Sequence, residues 1–285
     1  MNFKVSMLEA VNKLFPLPVH PFNTQAQGGK TYAMWQYEKG EQTIKFYLEY
    51  TTTDEMFKDK VVLDVGCGAG GKSLYYLTKG AKQVIGIDVV EKYKEESEQL
   101  QKSLGLSGFS FYVQDAAKTD FPDNFEDTII MNDAMEHVAK PAAVLAEMKR
   151  ILKPGGRLYV NFPPYNHPYG AHLSDVIGIP WVQRFFSDKT LIAAYKDLVK
   201  DKPDGEDRIH FRIGLNEKGE EYFSYLNKMS IKRFAGLKAD SGFHVKYYNE
   251  APLRSFLKPL CFGPFREYFV KMVVCVLEKP LDEGK

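Results

Sequence analysis

The chain has 285 residues, of which 44% are hydrophobic and 26% are charged, and its 38 basic and 37 acidic side chains leave a formal net charge of +1. This balance argues against a nucleic acid or an anionic membrane as the partner, because both select a basic excess or a basic stripe. The cysteines form no CxxC pair, which argues against a zinc site or a disulfide framework. With no signal peptide and no apolar run near the ~20 residues of a membrane span, we expect a cytoplasmic protein.

Residues 1–57 predict an N-terminal cap. Apolar side chains at helical spacing predict a first amphipathic helix, which Pro16 and Pro18 end; they are Phe3, Met7, Leu8, Val11 and Leu14. A loop is expected at 20–29 and a second helix at 42–50.

Residues 58–162 alternate between two patterns. Short apolar runs predict strands at 61–65, 83–88, 109–114, 127–132 and 157–162. The intervening segments predict helices at 72–79, 91–104 and 141–152. Strands that alternate with helices predict βαβ units and a parallel sheet.

The alternation stops after Phe162, and the length of the following segment, 163–242, predicts an inserted lid that recognises the substrate. Strands at 243–248 and 270–278 then complete the sheet within 243–285, and the tail at 280–285 is expected to fray. The predicted fold is α/β: a doubly wound, mostly parallel seven-stranded sheet with an N-terminal helical cap and a lid between strands five and six.

A glycine-rich stretch, DVGCGAGG at 64–71, joins the first strand to the following helix. Glycines let the backbone turn tightly and approach a ligand, and the helix N-terminus favours an anion. Gly66, Gly68 and Gly71 also satisfy the dinucleotide pattern GxGxxG, so an NAD site stays an alternative. Asp64 favours S-adenosylmethionine (SAM), because a carboxylate there suits a methionine amino group and opposes a pyrophosphate. Gly70 adds the pattern GxGxG.

Two further carboxylates end strands. Asp88 ends the second strand, where it can accept hydrogen bonds from both ribose hydroxyls of either SAM or NAD. Asp115 follows the third strand and can accept the exocyclic amine of an adenine. Both could instead cap strand ends.

The stretches VLDVGCGAGG, VIGIDV, QDAAKTDFPDNFEDTIIMNDAMEHV and VLAEMKRILKPGGRLYVNFPP cover roughly residues 60–164. They resemble the class I SAM-dependent methyltransferases, particularly the bacterial group with an EHV-type motif after the fourth strand. The resemblance implies a set of cofactor-binding residues: Asp64 at the amino end of SAM, Gly66, Cys67, Gly68 and Gly70 in the loop, Asp88 and Val89 at the ribose, Asp115 and Ala116 at the adenine, and Asn132 and Asp133 at the methionine part and the acceptor.

Three histidines are candidate general bases for an acceptor that must lose a proton. His137 follows the fourth strand, and its alternative role is to orient loops by hydrogen bonds. His167 and His172 lie in the Pro-rich segment after the fifth strand, at the edge where α/β ligand clefts form. Tyr165 and Tyr169 of this segment are candidate substrate contacts, and the alternative is a rigid hairpin that packs on the sheet.

Downstream residues extend the predicted acceptor site. If residues 208–212 are extended, Arg208 and Arg212 share one face and can bind a carboxylate or phosphate; the alternative is a solvated strand edge. Trp181 is a candidate wall of an aromatic pocket, or else part of the lid core.

These features predict a SAM-dependent methyltransferase with a small-molecule acceptor, aromatic or carboxylate-bearing, and without a metal. The sequence does not identify the methylated atom. The alternatives are an NAD-type oxidoreductase, a non-catalytic SAM-binding protein and a methyltransferase of macromolecules. A homodimer is the assembly that we consider.

Overall fold

The computed structural model describes residues 3–20, 23 and 30–281, which divide into two compact units. The sheet unit comprises Lys30–Phe162, Ile231–Ala251 and Met272–Lys285, and the helical unit comprises Met1–Gly29, Pro163–Ser230 and Pro252–Lys271. The predicted loop at 20–29 and the predicted frayed tail at 280–285 lie largely outside the described residues. The segment predicted as one cap divides between the units, since 1–29 falls with 163–230 and 30–57 falls with the sheet.

A seven-stranded sheet forms the centre of the sheet unit. Its strands are β1 Val61–Val65, β2 Gln83–Asp88, β3 Phe109–Val113, β4 Glu126–Asn132, β5 Leu152–Phe162, β8 His244–Pro252 and β9 Val270–Glu278. Their order in the sheet is β3-β2-β1-β4-β5-β9-β8. Neighbours from β3 to β5 pair in parallel, and β9 is antiparallel to β5. The predicted doubly wound, mostly parallel sheet is confirmed.

Helices join these strands and cover the sheet: α5 Gly71–Leu77, α6 Lys92–Ser103, α7 Pro141–Ile151 and, before β8, α11 Ile231–Asp240. A parallel sheet needs apolar residues on both faces, which is why β1 and β4 are buried almost throughout. The strand β5 begins at Leu152, five residues before the predicted strand, because Leu152 already pairs with Glu126 across a register shift.

Three short helices precede the sheet in this unit: α2 Tyr32–Glu38, α3 Gly40–Ile44 and α4 Thr53–Phe57. The Thr52 side chain and Glu55 form a capping box that starts α4. Neither α2 nor α4 is among the helices predicted from the sequence, because each is too short to display an apolar period.

The helical unit has its own core. Its elements are α1 Phe3–Asn12, α8 Val182–Phe185, α9 Asp188–Val199, α10 Gly205–Arg212, the hairpin strands β6 Ile213–Leu215 and β7 Glu221–Phe223, and 3-10 helices at Ser255–Leu260 and Gly263–Phe269. Buried side chains from α1, from 171–182 and from α9 pack together, with Leu8 and Tyr195 fully buried. No helix among the described residues is both long and apolar enough to cross a bilayer.

The extended conformation considered for 208–212 is not found, because these residues form the end of α10. Glu206 and Asp207 lie in its first turn and His210 and Arg212 in its last turn, which complements the helix dipole. The spacing of four still places Arg208 and Arg212 on one face, and that face is buried.

Candidate functional site

The glycine-rich stretch forms a tight loop between β1 and α5. The backbone N–H groups of Gly66 and Cys67 both donate to the Ile87 carbonyl, at 2.8 and 3.1 Å, which fixes the loop to the end of β2. Gly68 has a φ of +55°, in the left-handed region that glycine adopts without strain. These two hydrogen bonds and the left-handed turn at Gly68 place the loop backbone at the carboxyl edge of the sheet. This is the edge where α/β folds bind nucleotides.

Asp88 ends β2 directly beside this loop. Its Oδ2 accepts the Gly68 N–H at 2.9 Å, and its Oδ1 accepts the Val90 N–H at 2.9 Å. Burial raises the pKa of Asp88 above its usual value, and the backbone donors partly oppose this shift. The neighbouring Val89 side chain is 69% exposed. A carboxylate held by the chain at an open strand end fits the predicted acceptor for ribose hydroxyls.

The helix α2 packs on the same loop through two side chains that the sequence predictions missed. Gln36 Nε2 donates to the Cys67 carbonyl at 3.2 Å, and Gln36 Oε1 accepts the Gly71 N–H at 3.3 Å. A Cβ at Gly68 would lie 3.2 Å from Tyr32 Cε1. In the sequence, the only indication of this contact is that Tyr32 and Gln36 lie four residues apart. That spacing does not distinguish a contact with the glycine-rich loop from ordinary packing of a helix.

Gly71 has a packing role in this structure. A Cβ at this position would lie 1.9 Å from the Ala33 carbonyl oxygen, so any side chain would push α2 away from α5. The close packing of α2 therefore explains the last glycine of the GxGxxG pattern. A bound pyrophosphate is not needed to explain it.

Asp64 lies beneath the loop. Its side chain is buried, and the Ser73 hydroxyl donates to Oδ2 at 2.6 Å. Burial raises the pKa of Asp64 to about 6, although the Ser73 hydrogen bond and nearby Lys72 oppose the shift. Asp64 thus ties β1 to α5, and its contact with the amino end of SAM stays a prediction.

The side chain of Asn132 is engaged in a buried network. Its Oδ1 accepts the Tyr47 hydroxyl at 2.6 Å and Asn161 Nδ2 at 2.8 Å, and its Nδ2 donates to the Tyr76 hydroxyl at 3.2 Å. Satisfied buried networks of this kind rigidify a core. The geometry therefore favours a structural role for Asn132 over the predicted cofactor contact.

Asp133 follows Asn132 in a left-handed conformation with a φ of +52°. Its N–H donates to the Asn161 carbonyl at 3.1 Å, and its carboxylate pairs with Lys72 Nζ at 3.1 Å. The side chain is 44% exposed. Non-glycine residues in this conformation are concentrated at functional sites, which agrees with the predicted position beside the ligand.

Asp115 and Ala116 follow β3. The carboxylate of Asp115 accepts the Ala117 N–H at 2.9 Å and so forms an Asx-turn. Asp115 is exposed and Ala116 is buried. Their contact with an adenine stays a prediction.

The Glu136–His137 pair lies after β4 in the sheet unit. Both Glu136 carboxylate oxygens are buried without a hydrogen-bond partner among the described residues. Burial, followed by the charge of Asp133, raises the pKa of Glu136 well above its usual value. His137 Nε2 lies 3.8 Å from Glu136 Oε1, and the His137 side chain is 33% exposed. A partly exposed imidazole beside a buried carboxyl can accept a proton.

His167 and His172 belong to the helical unit. His167 Nδ1 accepts the Tyr169 N–H at 3.1 Å, and burial lowers the pKa of His167 to about 4. An imidazole whose acceptor nitrogen is already bonded is a poor general base. His172 has a φ of +53°, and its carbonyl accepts Arg212 Nε at 3.2 Å and the Tyr225 hydroxyl at 2.9 Å.

Arg208 and Arg212 share a carboxylate that belongs to the chain itself. Each guanidinium lies 3.1 Å from a carboxylate oxygen of Asp175, and all three side chains are at most 2% exposed. The Tyr195 hydroxyl also donates to Asp175, at 2.9 Å. This buried network accounts for both arginines, and so their predicted role in binding an acceptor has no support from the geometry.

The aromatic candidates are dispersed through the helical unit. Lys228 Nζ lies 5.5 Å from the centre of the Tyr165 ring, and Tyr169 donates its N–H to His167. Trp181 has a φ of +53°, and its buried indole N–H finds no acceptor among the described residues. The roles of Trp181, Tyr165 and Tyr169 in binding the acceptor stay predictions.

Comparison with known proteins identifies the domain. Residues 63–160 match the family model described as a methyltransferase domain. The chain is 31% identical over 155 residues to a ubiquinone biosynthesis O-methyltransferase from Xanthomonas euvesicatoria, covering 54% of this chain and 62% of that protein. It is 32% identical over 121 residues to tocopherol O-methyltransferase from Arabidopsis thaliana, covering 42% and 34%. The chain matches four plant relatives, which are tocopherol and phosphoethanolamine methyltransferases, over 20 to 34% of their length.

Solved structures share the fold. An SAM-dependent methyltransferase from Methanosarcina mazei aligns with a TM-score of 0.52 at 22% identity over 83% of this chain and 98% of that chain. The [4+2]-cyclase SpnF aligns with a TM-score of 0.56 at 18% identity over 96% of both chains. Residues 63–160 therefore match a methyltransferase domain, and the chain shares its Rossmann-like fold with these solved structures.

Proposed function

We propose that this protein is a SAM-dependent methyltransferase that transfers a methyl group to a small-molecule acceptor. The observation that carries the proposal is the Asp88 carboxylate, held beside the glycine-rich loop at the carboxyl end of β2 within a methyltransferase domain. The relatives named above, whose acceptors are small molecules by name, favour this activity over an NAD-type oxidoreductase.

The residues of the sheet unit fit the cofactor. Asp88 would accept the ribose hydroxyls, the backbone of the glycine-rich loop would approach the ligand closely, and Asp64 and Asp133 would lie toward its methionine end. When bound, SAM supplies an activated methyl group on a sulfonium. The protein then has to hold the acceptor in line with that bond, and such positioning contributes up to roughly 10 kcal/mol.

We propose an aromatic hydroxyl as the acceptor group. The O-methyltransferases among the relatives support this choice. The one from Xanthomonas euvesicatoria is matched over 62% of its length, against 34% for the tocopherol enzyme from Arabidopsis thaliana. A hydroxyl has to lose its proton as it is methylated, and His137 and His172 are the candidate bases. The Glu136 carboxyl lies beside this imidazole, with its Oε1 3.8 Å from His137 Nε2.

The test is an acceptor panel in which formation of S-adenosylhomocysteine is measured. Catechol-type phenols and quinols form one arm, phosphoethanolamine forms a second, and enzyme without acceptor is the blank. Turnover with the phenols alone supports the proposal. Turnover with phosphoethanolamine alone would replace the hydroxyl by an amine, and SAM binding without turnover on any arm would favour a non-catalytic SAM-binding protein.

The cellular setting is also a proposal. We propose a cytoplasmic homodimer without a nucleic acid partner, in keeping with the balanced charge of the chain. Sedimentation of the purified protein with and without added RNA tests the dimeric state and the absence of a nucleic acid partner, and a complex with RNA would favour a macromolecular acceptor.

A further inference from the structure

A compact excursion joins β8 to β9 in the helical unit. Its base is closed by the hydrogen bond from the Leu253 N–H to the Phe269 carbonyl, at 2.8 Å. The Cys261 thiol contacts the Leu257 and Phe269 carbonyls at 3.6 and 3.5 Å, which ties the middle of the excursion to its base. The segment 253–269 is therefore a folded surface loop built from two 3-10 helices.

This loop exposes its large apolar side chains. Phe256 is 78% exposed, Phe262 is 72% exposed and Phe265 is 67% exposed, while Leu260 is 48% exposed. Single exposed apolar residues are ordinary, but four large ones within ten residues of one folded loop are a concentration of exposed apolar side chains that favours an interaction site.

A neighbouring helix extends the surface. The guanidinium of Arg184 in α8 lies 5.5 Å from the centre of the Tyr268 ring, and that ring lies 6.3 Å from the ring of Phe265. Phe185, the next residue of α8, is 73% exposed. We call these exposed residues, Phe185, Phe256, Leu260, Phe262 and Phe265, the aromatic surface.

The charged side chains of the loop between 251 and 266, and Arg184 of the neighbouring helix, are all basic. Arg184, Arg254 and Lys258 are exposed, and Arg266 is partly exposed. The sequence from 251 to 266 contains no acidic residue, and Glu267 is buried and accepts the Asn166 N–H at 3.3 Å. The local basic excess contrasts with the overall balance of +1, which is why composition alone argued against a membrane.

We propose that the aromatic surface docks this protein on an anionic phospholipid bilayer. Aromatic side chains insert at the boundary between headgroups and acyl chains, and flanking arginines and lysines bind the anionic headgroups. The basic flank selects a membrane over a second copy of this chain, because two copies would bring the same positive charges together. The inference does not depend on the proposed methyltransferase activity.

The experiment is cosedimentation of the full chain with vesicles of phosphatidylcholine alone and of phosphatidylcholine with phosphatidylglycerol. We expect binding to the anionic vesicles that salt weakens. The double variant R254E/K258E should weaken partitioning by roughly tenfold or more, since each basic residue near such a surface contributes about a fivefold preference. The triple variant F256S/F262S/F265S should lose binding while its SAM affinity and circular dichroism stay unchanged.

The matched control is L215S/K218E, which removes an exposed leucine and an exposed lysine at the β6–β7 hairpin of the same unit. It should bind like the unaltered chain. Absence of binding to anionic vesicles, or an equal loss in the control, would overturn the proposal. A shift from dimer to monomer in the triple variant, with vesicle binding unchanged, would assign the surface to a second copy and would also overturn it.

Discussion

The Gly68 N–H donates to Asp88 Oδ2 at 2.9 Å, and this bond joins the glycine-rich loop to the strand that carries the ribose-binding candidate. One carboxylate therefore shapes the loop and faces the ligand edge of the sheet. Loss of Asp88 should disturb the cofactor site twice, once through the loop and once through the missing acceptor.

Gln36 should stabilise the loop from the opposite side. Replacing Gln36 by Ala removes its hydrogen bonds to the Cys67 carbonyl, which keeps the Gly70 N–H at 3.1 Å, and to the Gly71 N–H. We expect a loss of about 1–3 kcal/mol in the free energy of unfolding and weaker SAM binding. Urea unfolding and calorimetric titration measure these effects. Gln99→Ala is the control, because Gln99 is exposed and its Nε2 donates to Glu95 Oε1 at 3.1 Å on the surface of the same helix; an equal effect there would contradict the account.

The two units should respond differently to loss of the buried ion network. Asp175→Asn removes the buried carboxylate that Arg208 and Arg212 share, while Arg208 keeps its pair with Asp204 at 2.9 Å; breaking a buried pair costs about 3–5 kcal/mol. We expect the helical unit to unfold at lower urea concentration, as followed by hydrogen exchange. Glu221→Gln breaks an exposed pair with Lys196 and should change stability by less than about 1 kcal/mol. Equal effects of the two substitutions would show that the network does not stabilise the unit.

Glu126 should make stability depend on pH. Burial, with the charge of Asp127, raises its pKa from 4.5 to about 8 against the opposing effect of Lys153, and neither carboxylate oxygen has a hydrogen-bond partner among the described residues. The folded state holds the proton of the Glu126 carboxyl more tightly than the unfolded state does. The stability that protonated Glu126 contributes is therefore fully present below pH 4.5 and is lost as pH rises through 8. We expect Glu126→Gln to raise stability at pH 8.5 by roughly 1–3 kcal/mol and to flatten the pH profile. A profile unchanged by the substitution would refute this assignment.

The candidate bases should separate chemistry from cofactor binding. His137→Ala or His172→Ala should lower methyl transfer by roughly 10²–10⁴-fold while leaving the SAM dissociation constant within about twofold. His167→Ala is the comparison, and we expect a smaller effect because His167 Nδ1 already accepts a hydrogen bond. Transfer of the methyl group from labelled SAM and equilibrium binding measure the two quantities. If SAM binding fell as much as turnover, neither histidine would be the base.

The sequence predicted most of the sheet unit and less of the helical unit. The strands β1, β2 and β9 have the predicted bounds because buried strands next to glycines and charged turns are local patterns. The contact of Gln36 with the glycine-rich loop joins residues thirty-five positions apart, and no local pattern indicates it. Arg208 and Arg212 were misassigned because a basic side chain predicts an anion without saying whether the anion is a ligand or, as here, Asp175 of the same chain.

The most direct test of the central claim is calorimetric titration of the purified chain with SAM, S-adenosylhomocysteine and NAD, with Asp88→Ala as the control. The account predicts micromolar binding of the first two ligands and its loss in Asp88→Ala, in the affinity range that is common for enzyme ligands. Binding of NAD alone would contradict the account and assign the glycine-rich loop to a pyrophosphate.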